Sequence, residues 1–207
     1  VYDLDLTQIK PQQIVDEAEF VFSCLPHAAS AETVGPLVDA GLKVVDLSAD
    51  YRLRDADVYE KWYGLEHPDP DRLGTVPYGL PEFYRDEIRV AQLVANPGCY
   101  PTSVILPLMP LLQSKIICPT DIIVDSKSGV TGAGRTAALP FHYPEANENI
   151  KAYAVGQHRQ AVSQLERDAG QSLALRARTG GPAWRWCACL SVAQPCAPRG
   201  PTGRYRT

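Results

Sequence analysis

The sequence has no run of about eighteen apolar residues, so no segment has the length and apolarity of a membrane-crossing helix. Its first residues, Val1-Tyr2-Asp3-Leu4-Asp5, carry neither the basic nor the apolar stretch of a secretory leader. A soluble, cytoplasmic protein without a membrane partner is expected. The six cysteines, at positions 24, 99, 118, 187, 189 and 196, lack the regular spacing of a disulfide framework, which points to reduced thiols. Cys187, Cys189 and Cys196 lie close together, but no fourth ligand accompanies them, so no metal site is expected. Acidic residues are absent from 172–207, which hold six Arg, whereas residues 1–171 hold 14 Lys and Arg against 24 Asp and Glu. The acidic body, and a basic end without interleaved aromatic or helical order, argue against nucleic-acid binding.

What remains is a 207-residue chain, apolar enough for a sizeable core and long enough for one full domain with part of another. Glu19–Leu25 reads as a buried strand, Ser30–Ala40 as a helix stopped by Gly41, and Lys43–Leu47 as the next strand. This βαβ unit implies a parallel sheet covered on both faces, with ligands at the carboxyl ends of its strands. The loops Pro26–Ala29 and Ser48–Arg52 leave those ends. Asp55–Trp62 reads as a short helix, and Glu66–Pro81 as a Pro/Gly-rich excursion over the surface. His67 and His142 read as ordinary loop residues, while His27 is within reach of a ligand at the sheet edge.

The most informative stretch is Asn96-Pro97-Gly98-Cys99-Tyr100-Pro101-Thr102. Pro97 pushes Asn96 toward extended backbone, closing the strand Gln92–Ala95, and Gly98 permits the positive φ of a tight elbow. Pro101 suits the first position of a helix running from Thr102 to Leu112. Cys99 would then face unpaired N–H groups and the positive end of a helix dipole, which favour the reactive thiolate. The plain alternative is a buried structural cysteine. Asp121–Ser126 reads as a further strand, and Ser128–Arg135, with three glycines, as a flexible loop whose N–H groups can cradle phosphate. Lys151–His158 reads as a strand ending in a histidine. After residue 171 no period of 2 or 3.6 persists, and the Arg/Pro/Cys-rich text is expected not to fold; translation in a wrong reading frame would give such a composition.

Four motifs in order, the Cys99 elbow, Ser128–Arg135, Asp46–Arg52 and Pro77-Tyr78-Gly79-Leu80-Pro81-Glu82, make residues 15–158 resemble the N-acetyl-γ-glutamyl-phosphate reductases of arginine biosynthesis. The resemblance implies an α/β chain: a partial Rossmann-like parallel-sheet domain followed by the start of a semialdehyde-dehydrogenase-type α+β catalytic domain. It implies residues 1–95 as a partial NADP-binding domain without its first strand and Gly-rich loop. Residues 96–171 would be a partial catalytic and dimerisation domain, and 172–207 an atypical tail not folded as in the family. The chain thus reads as a fragment, and its initial Val fits that reading. The implied activity is NADPH-dependent reduction of a small acyl phosphate to an aldehyde through a Cys99 thioester, with His158 as acid and base. The implied cofactor contacts are Leu25, Pro26, Ser48, Gly129, Gly132 and Gly134, and the implied substrate contacts Arg52 and Arg135. Such reductases assemble as homo-oligomers. Departures are His158-Arg159-Gln160 in place of the family's His-Arg-His, and the altered tail. Two alternatives stand beside this reading: a cysteine hydrolase or acyltransferase using Cys99 and His158 without nucleotide, and an inactive fragment.

Overall fold

The computed structural model describes residues 10–117, 122–134, 136–153, 174–180 and 188–192. The chain divides into two compact units, Val1–Gly98 and Cys99–Thr207. The first opens with the short helix α1 (Pro11–Glu17) and then forms β1 (Phe20–Ser23), α2 (Ala29–Asp39) and β2 (Lys43–Asp46). After α3 (Ala56–Tyr63) and α4 (Pro81–Val90) comes β3 (Leu93–Ala95). The three strands form a parallel sheet in the order β1-β2-β3, with Ser23 opposite Asp46 and Asp46 opposite Ala95. The sequence dictates the first crossover: α2 buries Val34, Leu37 and Val38 against Val44, Leu93 and Ala95, and Gly41 takes φ +93° to reverse the chain. Asp55 caps α3 by accepting from the Asp57 and Val58 amides.

Three expectations change here. The strand at Glu19–Leu25 is not buried on both faces, because Phe20 and Phe22 are 50% and 67% exposed. These two share one face of β1 with their rings edge to face, while Val21, on the opposite face, packs against the core. Among the described residues β1 is an edge strand paired only with β2, and the apolar cluster that includes α2 packs on its Val21 side. Secondly, Glu66–Pro81 is no surface excursion. Leu73, Val76, Tyr78 and Leu80 are buried, and Tyr78 bridges Ala95 as though adding a residue of strand beside β3. The Gly79 amide donates to the Ala95 carbonyl and the Ala95 amide to Pro77. A Cβ on Gly79 would stand 3.2 Å from the Ala95 oxygen, Pro97 Cδ and Val94 Cγ1, tighter than ordinary contact, so a larger residue would press these neighbours aside. Thirdly, α4 occupies a stretch to which the sequence assigned no element; Pro81 begins it, as proline can in a first helical turn.

The second unit begins with α5 (Cys99–Gln113), followed by β4 (Ile122–Ser128), α6 (Tyr143–Ala146) and β5 (Ile150–Tyr153). The tail, expected not to fold, contributes β6 (Ala174–Gly180) and β7 (Ala188–Val192). They complete a mixed sheet in the order β5-β6-β4-β7, with β6 parallel and β7 antiparallel to β4. The physical reason is backbone hydrogen bonding. β4 carries the buried Val124 and Ser126 through the middle of the sheet, and both its edges need partners for their amides and carbonyls.

Candidate active site

The carboxyl end of the first unit's sheet is organised by two fully buried aspartates. Asp46, closing β2, accepts from Ser30 Oγ at 2.7 Å, the Ser48 amide at 3.0 Å and Ser48 Oγ at 2.6 Å. Ser23 and Ser30 hydroxyls join this cluster at 2.8 Å. Asp50 accepts from the Ala28 and Ala31 amides at 3.0 and 2.9 Å, and from Tyr59 Oη at 2.7 Å. It therefore caps α2 from another loop, because the residue before that helix is Ala28 and has no polar side chain. Ala28 itself is held at φ +66° and ψ −53°, a sparsely populated conformation for any residue with a Cβ. Backbone strain thus sits in the loop that leaves β1.

Around this cluster lies an aromatic shell that the sequence did not reveal. His67, read as an ordinary loop residue, is 3% exposed and meets Tyr51 and Tyr59 edge to face. Its Nδ1 accepts from the Asp69 amide, which leaves the ring proton on Nε2, donating to the Asp50 carbonyl at 2.9 Å. Burial, then the hydrogen bond to Asp69, pushes Tyr51 well above the ordinary tyrosine range. Burial and the bond to Asp50 do the same to Tyr59. No local pattern marks His67, since its partners come from three separate segments.

Of the residues expected to bind cofactor, Leu25 and Pro26 are exposed beyond β1, and the Pro26 carbonyl accepts from Ser30. The Ser48 side chain turns inward: its hydroxyl is spent on Asp46 and accepts from the Asp50 amide. Arg52, expected at substrate, is 8% exposed, and its Nε and Nη2 donate to the Asn96 and Leu47 carbonyls at 2.8 Å each. It ties the ends of β2 and β3 together, just before the chain reaches Cys99.

In the second unit Cys99 is the first residue of α5 and is exposed; neither it nor Cys24 is in a disulfide. The helix starts earlier than the sequence suggested, with Pro101 its third residue, because the first-turn amides have no intrahelical acceptor and proline forfeits nothing there. Gly98 does not take a positive φ; it is buried, and the short link Asn96–Gly98 makes the bend. Tyr100 lies one residue on, and the Tyr153 hydroxyl, from β5, donates to its hydroxyl at 2.9 Å. Burial, then that bond, then the charges of Tyr100 and Cys99 raise Tyr153 above the ordinary tyrosine range.

Tyr153 also lines a cavity of about 500 Å³, shared with Gly129 and Gly132. The glycine loop is an ordered 3₁₀ turn, Val130–Ala133, rather than the flexible loop expected, and a Cβ on Gly132 would run into Ser128 Oγ. Gly134 follows at φ +79°. The structure thus gathers Cys99, Tyr100, Tyr153, Gly129 and Gly132 within one unit. His158 and Arg135 lie outside the described residues, and the strand expected at Lys151–His158 is seen as Ile150–Tyr153.

A nucleotide-type parallel sheet followed by a cysteine elbow matches what comparison finds. Residues 1–91 match the family model described as "Semialdehyde dehydrogenase, NAD binding domain", and residues 99–171 that described as "Semialdehyde dehydrogenase, dimerisation domain". The chain belongs to the semialdehyde dehydrogenase family. Within it, the chain is 53% identical over 171 residues to the N-acetyl-gamma-glutamyl-phosphate reductase of Rhodopirellula baltica, covering 81% of this chain and 49% of that protein. It is 50% identical over 176 residues to that of Syntrophobacter fumaroxidans, covering 84% and 51%. The chain spans about half the length of these curated relatives. Among solved structures, an aspartate semialdehyde dehydrogenase with NADP from Candida albicans aligns over 95% of this chain and 57% of its own, with a TM-score of 0.59 at 16% identity. Aspartate semialdehyde dehydrogenase II from Vibrio cholerae aligns over 80% and 52%, with a TM-score of 0.55 at 14% identity. These two likenesses show the α/β fold.

The first unit fits a nicotinamide dinucleotide. Leu25 and Leu47, 42% and 40% exposed, follow the carboxyl ends of the neighbouring strands β1 and β2, where such sheets bind dinucleotides. They offer an apolar ledge at that edge, held by the satisfied Asp46 and Asp50 clusters beneath.

Proposed function

We propose that the chain performs the NADPH-dependent reduction of N-acetyl-γ-glutamyl phosphate to N-acetylglutamate 5-semialdehyde and phosphate, a step of arginine biosynthesis. The observation that carries this reading is Cys99, exposed at the N-terminus of a 15-residue helix and one residue before Tyr100, whose hydroxyl accepts from Tyr153 on the wall of a cavity. The names and the extent of the curated relatives support it.

Cys99 attacks the acyl carbon as its bond to the phosphate oxygen breaks, giving a thioester and free phosphate. The N–H groups of the first turn of α5 favour the negative charge that the sulfur carries before attack. Bound NADPH supplies the hydride that reduces the thioester. His158 takes the thiol proton and later lends it to the oxygen; as that proton returns to His158 the carbonyl re-forms and the carbon–sulfur bond breaks, freeing the aldehyde and the Cys99 thiolate. Leu25 and Pro26 hold the cofactor, as do Ser48 through its backbone and the glycines 129, 132 and 134. Arg135 meets the phosphate. Arg52 acts from behind the site by fixing the carbonyls of Leu47 and Asn96. In this reading residues 1–95 form the cofactor side, residues 96–171 form the catalytic and dimerisation side, and the protein acts as a homo-oligomer.

The test is NADP⁺- and phosphate-dependent oxidation of N-acetylglutamate semialdehyde, followed by nicotinamide absorbance beside a Cys99→Ser variant. Turnover that falls at least about a thousandfold in the variant supports the reading. Equal rates in both, or none in either, refute it for this chain.

A further inference from the structure

The cavity of the second unit has a chemistry of its own. Its volume of about 500 Å³ lies within the range of small-molecule sites. Among the described residues, Lys151, on β5, is the one cationic side chain on its wall, and Glu145, on α6, the one anionic side chain. Val130, Phe141 and Ala146 add apolar surface to the same wall. The Glu145 carbonyl accepts from Asn149 Nδ2 at 3.1 Å, which ties α6 to the residue before β5 and so fixes the two charged walls relative to each other.

Lys151 and Tyr153 are two residues apart on one strand, and both face the cavity. At about 3.3 Å of rise per residue they are separated by roughly 7 Å along β5. Tyr153 is the one that reaches toward Cys99, through its bond to Tyr100. A molecule whose reacting carbonyl lies at the Cys99 end therefore extends its other end toward Lys151, a span comparable to an extended glutamyl chain from its γ-carbonyl to its α-carboxylate.

Resting on the reductase reading, the geometry points to Lys151 as the specificity residue that pairs with the substrate's α-carboxylate. The Val130, Phe141 and Ala146 surface takes the acetyl group. Glu145 accepts from the acetamide N–H and repels a carboxylate placed the wrong way round. The cavity thus reads two features that are remote from the reaction: a free carboxylate and an acylated nitrogen.

Calorimetric binding, which needs no turnover, tests this with three probes: N-acetylglutamate, 4-acetamidobutanoate, which lacks the α-carboxylate, and glutamate, which lacks the acetyl group. The unaltered chain should bind N-acetylglutamate about tenfold more tightly than either of the others. In Lys151→Met the advantage over 4-acetamidobutanoate should shrink to about twofold while the advantage over glutamate persists, and Lys151→Arg should restore most of the loss. Phe141→Ala should do the reverse, reducing the advantage over glutamate alone. An unchanged carboxylate preference in Lys151→Met, or no binding of N-acetylglutamate to the unaltered chain, overturns the assignment. Discrimination through Lys151 without any hydride transfer would instead refute the reductase reading and leave the cavity assignment standing.

Discussion

Among the described residues Ala28 carries the clearest strain, with φ +66° and ψ −53° on a residue that has a Cβ. Such a conformation costs on the order of 1–3 kcal/mol, and it persists because the Asp50 carboxylate holds both the Ala28 and the Ala31 amides. Glycine adopts positive φ at little cost but gives the unfolded chain more freedom, a penalty of about 0.4–1 kcal/mol. Strain relief is the larger of the two, so Ala28→Gly should stabilise the first unit by roughly 1 kcal/mol. Thermal melts of the two proteins side by side would check this, and a lower midpoint in the variant would contradict it. The same loop carries Leu25 and Pro26, so the strain lies where the cofactor is proposed to bind.

The elements that punctuation and period reveal were legible. Gly41 marks the end of α2, Asp55 the start of α3, and the apolar runs around Val21, Val44 and Val94 the three parallel strands. The bend before Cys99 was legible in position, although Gly98 does not take the positive φ read for it and the helix begins at Cys99 itself. What escaped the sequence is set by partners far along the chain: the Tyr153–Tyr100 bond spans 53 residues, and the Arg52–Asn96 bond spans 44. The exposure of Phe20 and Phe22 depends on what packs against that face of β1, which no residue in β1 encodes. The aromatic shell around α3 and His67 has a measurable consequence. Tyr51 and Tyr59 keep their protons above the ordinary tyrosine value of about 10, whereas the unfolded chain gives them up there. Their raised pKa values therefore leave stability intact below about pH 10 and erode it as pH rises further, since the native state then binds more protons than the unfolded state. Melting midpoints should hold level from about pH 7 to 9 and fall beyond about 10, with a shallower fall in Tyr59→Phe. Tyrosinate absorbance that reached its full value well before the loss of ellipticity would sink the argument.

At the scale of the whole molecule, what the first unit's sheet presents to solvent has a consequence for self-association. There β1 pairs on one side only among the described residues, and Phe20 and Phe22 form an exposed aromatic pair on its open face. An unshielded strand with large apolar side chains is a template for pairing with another chain, and a net charge of −4 over 207 residues offers little repulsion to oppose it. Phe20 and Phe22 contribute little to the core, because the buried face of β1 is carried by Val21 and Ser23. Replacing both by threonine, which keeps β-propensity, should leave the melting midpoint within about 2 °C while raising the monomeric fraction in size-exclusion chromatography at high concentration. A large drop in midpoint would mean that the pair stabilises the fold itself. An unchanged elution profile would assign self-association to another surface, such as the second unit that matches the family's dimerisation domain. A shift to monomer together with retained NADP⁺ binding would separate the open face of β1 from the cofactor edge, since Leu25 and Leu47 lie beyond the ends of the strands rather than on that face.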